Sequence, residues 1–235
     1  MKRLTVCLSL ILILVMGNDA NAQTVDDVIS KATAAMGGQA AIDAVKTVRM
    51  DISGTFMGEE MEMEVAIAKP NNKLMRMNIL ALGMDVLSAT DGTDYWTSRN
   101  GQVTDMPVSA KEQFGSSFPQ YSGTGAADLI GNGTFTYSGK EDVDGISADV
   151  VKGVMTGSGD VSIYFDATGL PFRMLMPTEE GDLDMYITDY RDVGGMLMAY
   201  KSESFLNGSP WMVLEITEVE ANVDIDPSTF ARPGK

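Results

Sequence analysis

The chain contains no histidine and a single cysteine. Without histidine there is no Ser-His-Asp triad, no Cys–His catalytic pair and no His-ligated zinc. Cys7 falls in a segment read below as a leader, so the remainder has no thiol, forms no disulfide and must rely on its core. Positive charge is also scarce. Seventeen Lys and Arg face 33 Asp and Glu, giving a formal net charge of −16 and a sequence pI of about 4.2. Nucleic acid is then a poor partner, because duplex binding depends on Lys and Arg neutralising phosphates. An anionic membrane surface repels the chain for the same reason. Hydrophobic residues make up 44% of the 235, which is enough for one sizeable core.

Residues 1–22 read MKRLTVCLSLILILVMGNDANA. Lys2 and Arg3 precede an apolar stretch from Leu4 to Met16, and Ala20-Asn21-Ala22 closes it. This is the three-part pattern of a secretory signal, with cleavage expected after Ala22. The apolar run is shorter than the ~20 residues that span a bilayer, so no stable membrane anchor is expected. Cys7 comes before the apolar run ends, too early to be a lipidated first residue. Removing Lys2, Arg3 and Asp19 with the leader leaves 213 residues, 23–235, with a net charge of −17. The expectation is one soluble domain in the bacterial periplasm, or a secreted one.

Thr24 to Lys46 is the best helical stretch. Val25, Val28, Ile29, Ala32 and Met36 recur at helical spacing, and Asp26 and Asp27 suit the positive end of the helix dipole. Gly37-Gly38 interrupts it, and Ala40–Val45 forms a second short helix. From Thr47 the period changes to two. Val48, Met50 and Ile52 alternate with polar residues, as do Met61, Met63, Val65 and Ile67, then Val161, Ile163 and Phe165, then Leu183, Met185 and Ile187. Leu170, Phe172, Met174 and Met176 are expected on one face, with Arg173 on the other. Such alternation marks antiparallel strands with one apolar face. Asp91-Gly92, Asn100-Gly101, Asp144-Gly145 and Asn207-Gly208 suit tight hairpins. The pattern predicts about ten or eleven strands in hairpin order. No helix of crossover length separates them, which disfavours a parallel sheet. Pro107 to Gly133 is rich in Gly and Ser, with short helical pieces expected over 109–114 and 126–130. It reads either as a lid or as a plain surface connection.

Methionine is over-represented, with 18 in the chain, of which Met1 and Met16 belong to the leader. Four pairs are spaced Met-x-Met: Met61/Met63, Met75/Met77, Met174/Met176 and Met196/Met198. Residues two apart share a strand face. Three readings compete: ordinary core packing, an adaptable apolar ligand surface, and Cu(I) capture by soft thioethers. Trp96 and Trp211 lie in strand-like stretches and belong either to the core or to a cavity wall.

Other patterns carry less. Glu59, Glu60, Glu62 and Glu64 read as a solvated strand face. Glu141-Asp142-Val143-Asp144-Gly145 resembles the start of a calcium loop but lacks its third acidic position and closing Glu, and reads as a hairpin turn. Gly123-Thr124-Gly125 and Gly131-Asn132-Gly133 complete no phosphate loop. A glycosidase-type carboxylate pair is conceivable among so many acids, but no spacing singles one out. Nothing argues for catalysis or calls for a cofactor.

Three stretches together resemble the outer-membrane lipoprotein-sorting family of LolA- and LolB-like carriers. The first runs from Ile29 through Met36-Gly37-Gly38-Gln39 to Val48 and resembles that family's helix, Gly-Gly, helix and first strand. The second, Phe165-Asp-Ala-Thr-Gly-Leu-Pro-Phe-Arg173, resembles a family hairpin. The third comprises Asp189-Tyr-Arg-Asp-Val-Gly-Gly-Met-Leu-Met-Ala-Tyr-Lys201 and Val223-Asp-Ile-Asp-Pro-Ser-Thr-Phe-Ala-Arg-Pro233, and is similar to a strand pair and closing segment of the family. The resemblance implies a mainly β fold with N-terminal helices (α+β): a curved antiparallel sheet forming an open half-barrel, with helices over its concave face. It implies a non-enzymatic carrier or sensor for acyl chains of a lipid or lipoprotein, with an envelope membrane protein as a further partner. The absence of an anchoring cysteine sets the chain apart from a LolB-type acceptor.

The expected lining is Met61, Met63, Met75, Met77, Phe172, Met174, Met176, Met196 and Met198, with Trp96 and Trp211 behind them. Helices near residues 25–46 and 108–130 would gate it. The rival readings are a non-catalytic envelope interaction or structural module with a filled concavity, and a methionine-rich Cu(I)-binding protein.

Overall fold

The computed structural model describes residues 23–108, 110, 111, 114, 133–155 and 159–234. The leader and most of the Gly- and Ser-rich stretch, including the pieces expected at 109–114 and 126–130 apart from residues 110, 111 and 114, lie outside the described residues.

Helix α1, Val25–Ala35, begins where the sequence supplies a reciprocal cap. The Thr24 hydroxyl accepts from the Asp27 amide at 3.2 Å, and the Asp27 carboxylate accepts from the Thr24 amide at 2.8 Å. Val28 and Ala32 form its buried stripe. The helix ends at Gly37 and Gly38, whose φ angles of 108° and 84° belong to glycine. Gly37 is also needed for space, since a Cβ there would lie 2.4 Å from the Gly195 carbonyl oxygen. Helix α2, Gln39–Ala44, follows and buries Ile42.

Among the described residues, thirteen strands then form one open, curved antiparallel sheet. They are β1 (Thr47–Phe56), β2 (Glu59–Ala68), β3 (Asn72–Ile79), β4 (Met84–Thr90), β5 (Tyr95–Arg99), β6 (Gln102–Asp105), β7 (Gly133–Val143), β8 (Ile146–Met155), β9 (Gly159–Phe165), β10 (Pro171–Thr178), β11 (Gly181–Val193), β12 (Met196–Leu206) and β13 (Ser209–Ala221). The spatial order is β6-β5-β4-β3-β2-β1-β13-β12-β11-β10-β9-β8-β7. Two meanders therefore meet where the first strand pairs with the last. The described residues form thirteen strands rather than ten or eleven; β6, four residues without an apolar face, is one that carries no periodic signal. Asn100-Gly101, Asp144-Gly145 and Asn207-Gly208 all turn with positive φ at both positions, as expected, and Met57-Gly58 and Gly194-Gly195 do the same; Asp91-Gly92 instead lies in a longer connection between Thr90 and Tyr95, with positive φ at Gly92 only.

The sheet is apolar on both faces, unequally. The main cluster joins α1 and α2 to one face and takes 28 buried residues from the helices and from strands along most of the sheet. The end of α1 is tied to β12 by the Leu197 amide, which donates to the Met36 carbonyl at 3.0 Å. On the opposite face, the chain after β13 crosses β2–β5. Ile225 and Phe230 pack there on Ala66, Leu74, Ala89 and Trp96. A third cluster, Val143, Ala148, Val150 and Tyr164, lies under β7–β9, with Phe172 and Leu175 against it.

Candidate functional site

Methionine is confined to the helix-bearing face. Ten of the 28 buried residues of the main cluster are Met, and only one is Leu. Five more, Met75, Met77, Met84, Met176 and Met212, pack against it. The only methionine after residue 22 outside this set is Met57, 66% exposed at a hairpin. All four Met-x-Met pairs thus share one face. The ten buried residues of the other two clusters include no Met.

Three expected lining residues are not brought to that set. Phe172 packs with the cluster on the opposite side of β10 from Met174. The β9–β10 register shifts between Pro171 and Arg173, and this bulge interrupts the alternation expected from Leu170 to Met176. Trp96 is 2% exposed on the face opposite the methionines, and its indole donates to the Phe230 carbonyl at 3.1 Å. Trp211 makes an edge contact with Phe56, ring centroids 5.3 Å apart, near the β1–β2 hairpin. Phe172 and Trp96 thus pack on the other face, whereas Trp211 meets the methionine cluster only through Phe56, which packs against it.

Strand registers convert the methionine face into a graded surface. Ile52, Met63, Met77, Val86 and Arg99 stand opposite one another across β1–β5. Met50, Val65, Met75, Ser88 and Thr97 form the neighbouring row. Side chains paired in this way share a face. Both rows are apolar at the sheet centre and polar at β5. Between them and the segment after β6 lies a cavity of about 360 Å³, lined by Met75, Val86, Ser88, Thr97, Arg99, Met106, Pro107, Ala110 and Phe114. Its volume is in the range of ligand pockets, ~300–1,000 Å³. Met106 and Phe114 belong to the main cluster, so the cavity is continuous with the methionine face. Of the expected lining, it uses Met75 directly.

A larger concavity, about 620 Å³, lies over β13, β1, β2 and β3, with Asp51, Ser53, Glu62, Glu64, Arg76, Asn78 and Thr217 in its wall and Ile52 and the expected lining residue Met63 bordering it. Glu62 and Glu64 alternate with the buried Met61, Met63 and Val65, which puts them on the other face. Arg76 is held there by a two-point ion pair to Asp85, at 3.0 and 2.9 Å. The charged wall makes it no place for an apolar chain. The Glu59–Glu64 run is exposed, as expected of a solvated face. Among the described residues, no group of His, Cys, Asp and Glu could hold a metal ion.

Other charged groups serve the fold. Arg173 pairs with Asp184 at 2.7 Å through both Nε and Nη2, and its guanidinium lies over the Tyr164 and Tyr186 rings. The Asp184 hydrogen bonds raise its pKa above the usual arginine value, against the effect of burial. Tyr190 donates to the Pro171 carbonyl at 2.6 Å, and burial pushes its phenol pKa up. Asp149, 2% exposed, accepts from the Tyr137 hydroxyl at 3.0 Å and is paired with Lys140 at 2.8 Å and Lys31 of α1 at 3.6 Å.

No family model and no curated protein matches the chain. Solved structures share its fold. A LolA superfamily protein from Nitrosomonas europaea aligns with a TM-score of 0.60 at 12% identity, covering 90% of this chain and 99% of that one. A DUF1329 family protein from Desulfovibrio piger aligns with 0.58 at 12% identity, covering 88% and 97%. An outer membrane lipoprotein-sorting protein domain from Vibrio parahaemolyticus aligns with 0.56 at 11% identity, covering 78% and 88%. At such identities the likeness is one of fold. None of the described helices is long and apolar enough to cross a membrane.

Proposed function

We propose that this chain is a periplasmic carrier or sensor that holds the acyl chain of a lipid or lipoprotein on its methionine face. The observation that carries the reading is the segregation of methionine. If methionine served only to fill gaps, it would be expected in the clusters of both faces. Ten occur in the main cluster and none in the other two. A flexible, polarisable thioether lining adapts to an apolar ligand that has no fixed shape. The leader-like start favours export. The fold shared with a LolA superfamily protein and a lipoprotein-sorting domain supports the same reading. In this reading the methionine face is the concave one, α1 and α2 close part of it, and the chain enters at the cavity beside Met75. Nothing in the site calls for catalysis.

Each methylene taken up by such a surface contributes about 0.8 kcal/mol, near fourfold in affinity. Affinity for straight-chain ligands should therefore rise steeply with chain length until the cavity is full. The test is displacement of a fluorescent fatty acid from Met75→Glu and Met75→Leu variants, with folding checked by circular dichroism. Met75→Glu is expected to weaken binding at least tenfold, on the order of the cost of desolvating a charge, while Met75→Leu stays within a few-fold. Unchanged affinity in a folded Met75→Glu variant would remove this cavity as the site.

A further inference from the structure

We infer that the ligand of this cavity is an anionic single-chain amphiphile, with its carboxylate or phosphate bound at Arg99 and its chain running along the methionine rows toward β1. This rests on the proposed function and adds the class of headgroup and the direction in which the ligand lies.

The first observation is the state of Arg99. Arg76, Arg173, Arg191 and Arg232 each pair with an aspartate. Arg49 stands on the opposite face, directly across from Glu220. Arg99 is placed on the methionine face, and among the described residues its exposed side chain meets no carboxylate and enters no hydrogen bond or ion pair. The chain carries 33 acidic residues and a net charge of −16; among the described residues the side chains of Lys46 and Arg49 also enter no ion pair, but Arg99 is the one that stands, exposed, at the mouth of an apolar cavity. The overall field repels anions, so an anionic ligand needs a local positive group. Guanidinium is suited to that task, because its planar fork meets carboxylate or phosphate oxygens at two points.

The second observation is the grading of the two rows. From β1 to β5 one runs Ile52, Met63, Met77, Val86, Arg99, and the other Met50, Val65, Met75, Ser88, Thr97. Apolar contact is continuous until the last strands, where polar groups appear together. Thr97 Oγ1 donates to the Leu87 carbonyl at 3.1 Å, so in its 3.3 Å contact with Ser88 it accepts, and Ser88 supplies the proton. The Ser88 hydroxyl can turn that donor toward a headgroup oxygen. The segment after β6 carries a second cation. Lys111, next to the lining residue Ala110, has its ammonium 5.6 Å from the centre of the Tyr95 ring. The arrangement matches a molecule that is charged at one end and greasy along the rest.

The test is isothermal titration of the purified full chain with three ligands of equal chain length: dodecanoate, dodecyl phosphate and dodecanol. At least one anion is expected to bind tenfold or more tightly than dodecanol. The stronger of the two identifies the source of the headgroup, a free fatty acid or a phospholipid-type phosphate. In Arg99→Gln that preference should fall to about one, and Arg99→Lys should retain part of it. If dodecanol binds as tightly as both anions, or if the preference survives in Arg99→Gln, the headgroup assignment is wrong and the acyl cavity stands. If none of the three binds, the assignment and the proposed function fall together.

Discussion

Replacing Trp96 with Ala is expected to lower the unfolding free energy by about 3–5 kcal/mol, the usual cost of emptying a buried aromatic site. Trp96 is 2% exposed and packs with Ala66, Leu74 and Ala89 from β2–β4 beneath Ile225 and Phe230. Its indole also donates to the Phe230 carbonyl, so one side chain holds the C-terminal segment by both area and direction. Arg232 adds an ion pair to Asp105 at 2.7 Å, but Asp105 is 81% exposed, which makes that contact a weak one. Trp96→Phe keeps most of the apolar contact and loses the hydrogen bond, for about 1 kcal/mol. Urea unfolding followed by circular dichroism reads both. Because Trp96 faces away from the methionines, Trp96→Phe should bind acyl ligands as the parent does. A loss of less than 1 kcal/mol in Trp96→Ala would mean that the C-terminal segment is not anchored there.

Asp149 gives the second large effect, and it depends on pH. Burial alone would raise its pKa. The hydrogen bonds from Lys140 and Tyr137, the Lys140 charge and a contact from Gln23 outweigh that and hold it below the ordinary carboxylate value. A carboxyl whose pKa is depressed in the folded state stabilises the fold above its unfolded pKa of ~3.9 and loses that contribution as pH falls through the folded value. Asp149→Asn keeps the shape and removes the charge. At pH 7 it should cost about 1.5–3 kcal/mol, the range for hydrogen bonds to a charged group. The difference from the parent should be constant between about pH 5 and 8 and shrink below about pH 4. Asp27, Asp85, Asp189 and Asp226 also have depressed pKa values but are retained in both proteins, so they cancel in the comparison. A difference that stays the same down to pH 3 would show that the charge of Asp149 contributes nothing.

The architecture was largely legible in the residues, and its failures have local causes. The apolar spacing, the acidic first turn and Gly37-Gly38 mark the helices, and Asn-Gly and Asp-Gly pairs mark three tight turns, while the cap at Thr24 is seen only in the structure. Met57-Gly58 carries no such signal, because methionine has no preference for the left-handed backbone it adopts there, φ 53°. The Met-x-Met pairs found the common face, since period two is robust wherever a strand is regular. Phe172 was misplaced because a bulge cannot be read from alternation. Trp96 is aromatic and strand-borne, yet it is its neighbours Thr97 and Arg99 that face the cavity. Val86, Ser88, Thr97 and Arg99 gave no signal of their own. An inward row that turns polar at β5 looks like a solvated strand until the register sets it beside Met75 and Met77.

Native mass spectrometry with lipid extraction, on protein purified from the periplasm of its own host, tests most directly whether the methionine face holds an acyl chain. The expected result is a co-purifying acyl lipid or lipoprotein, or a mass shift when an acyl ligand is added. A clean ligand-free mass that does not shift on adding acyl ligands would contradict it, and would make the methionines packing and the sheet a structural module of the envelope.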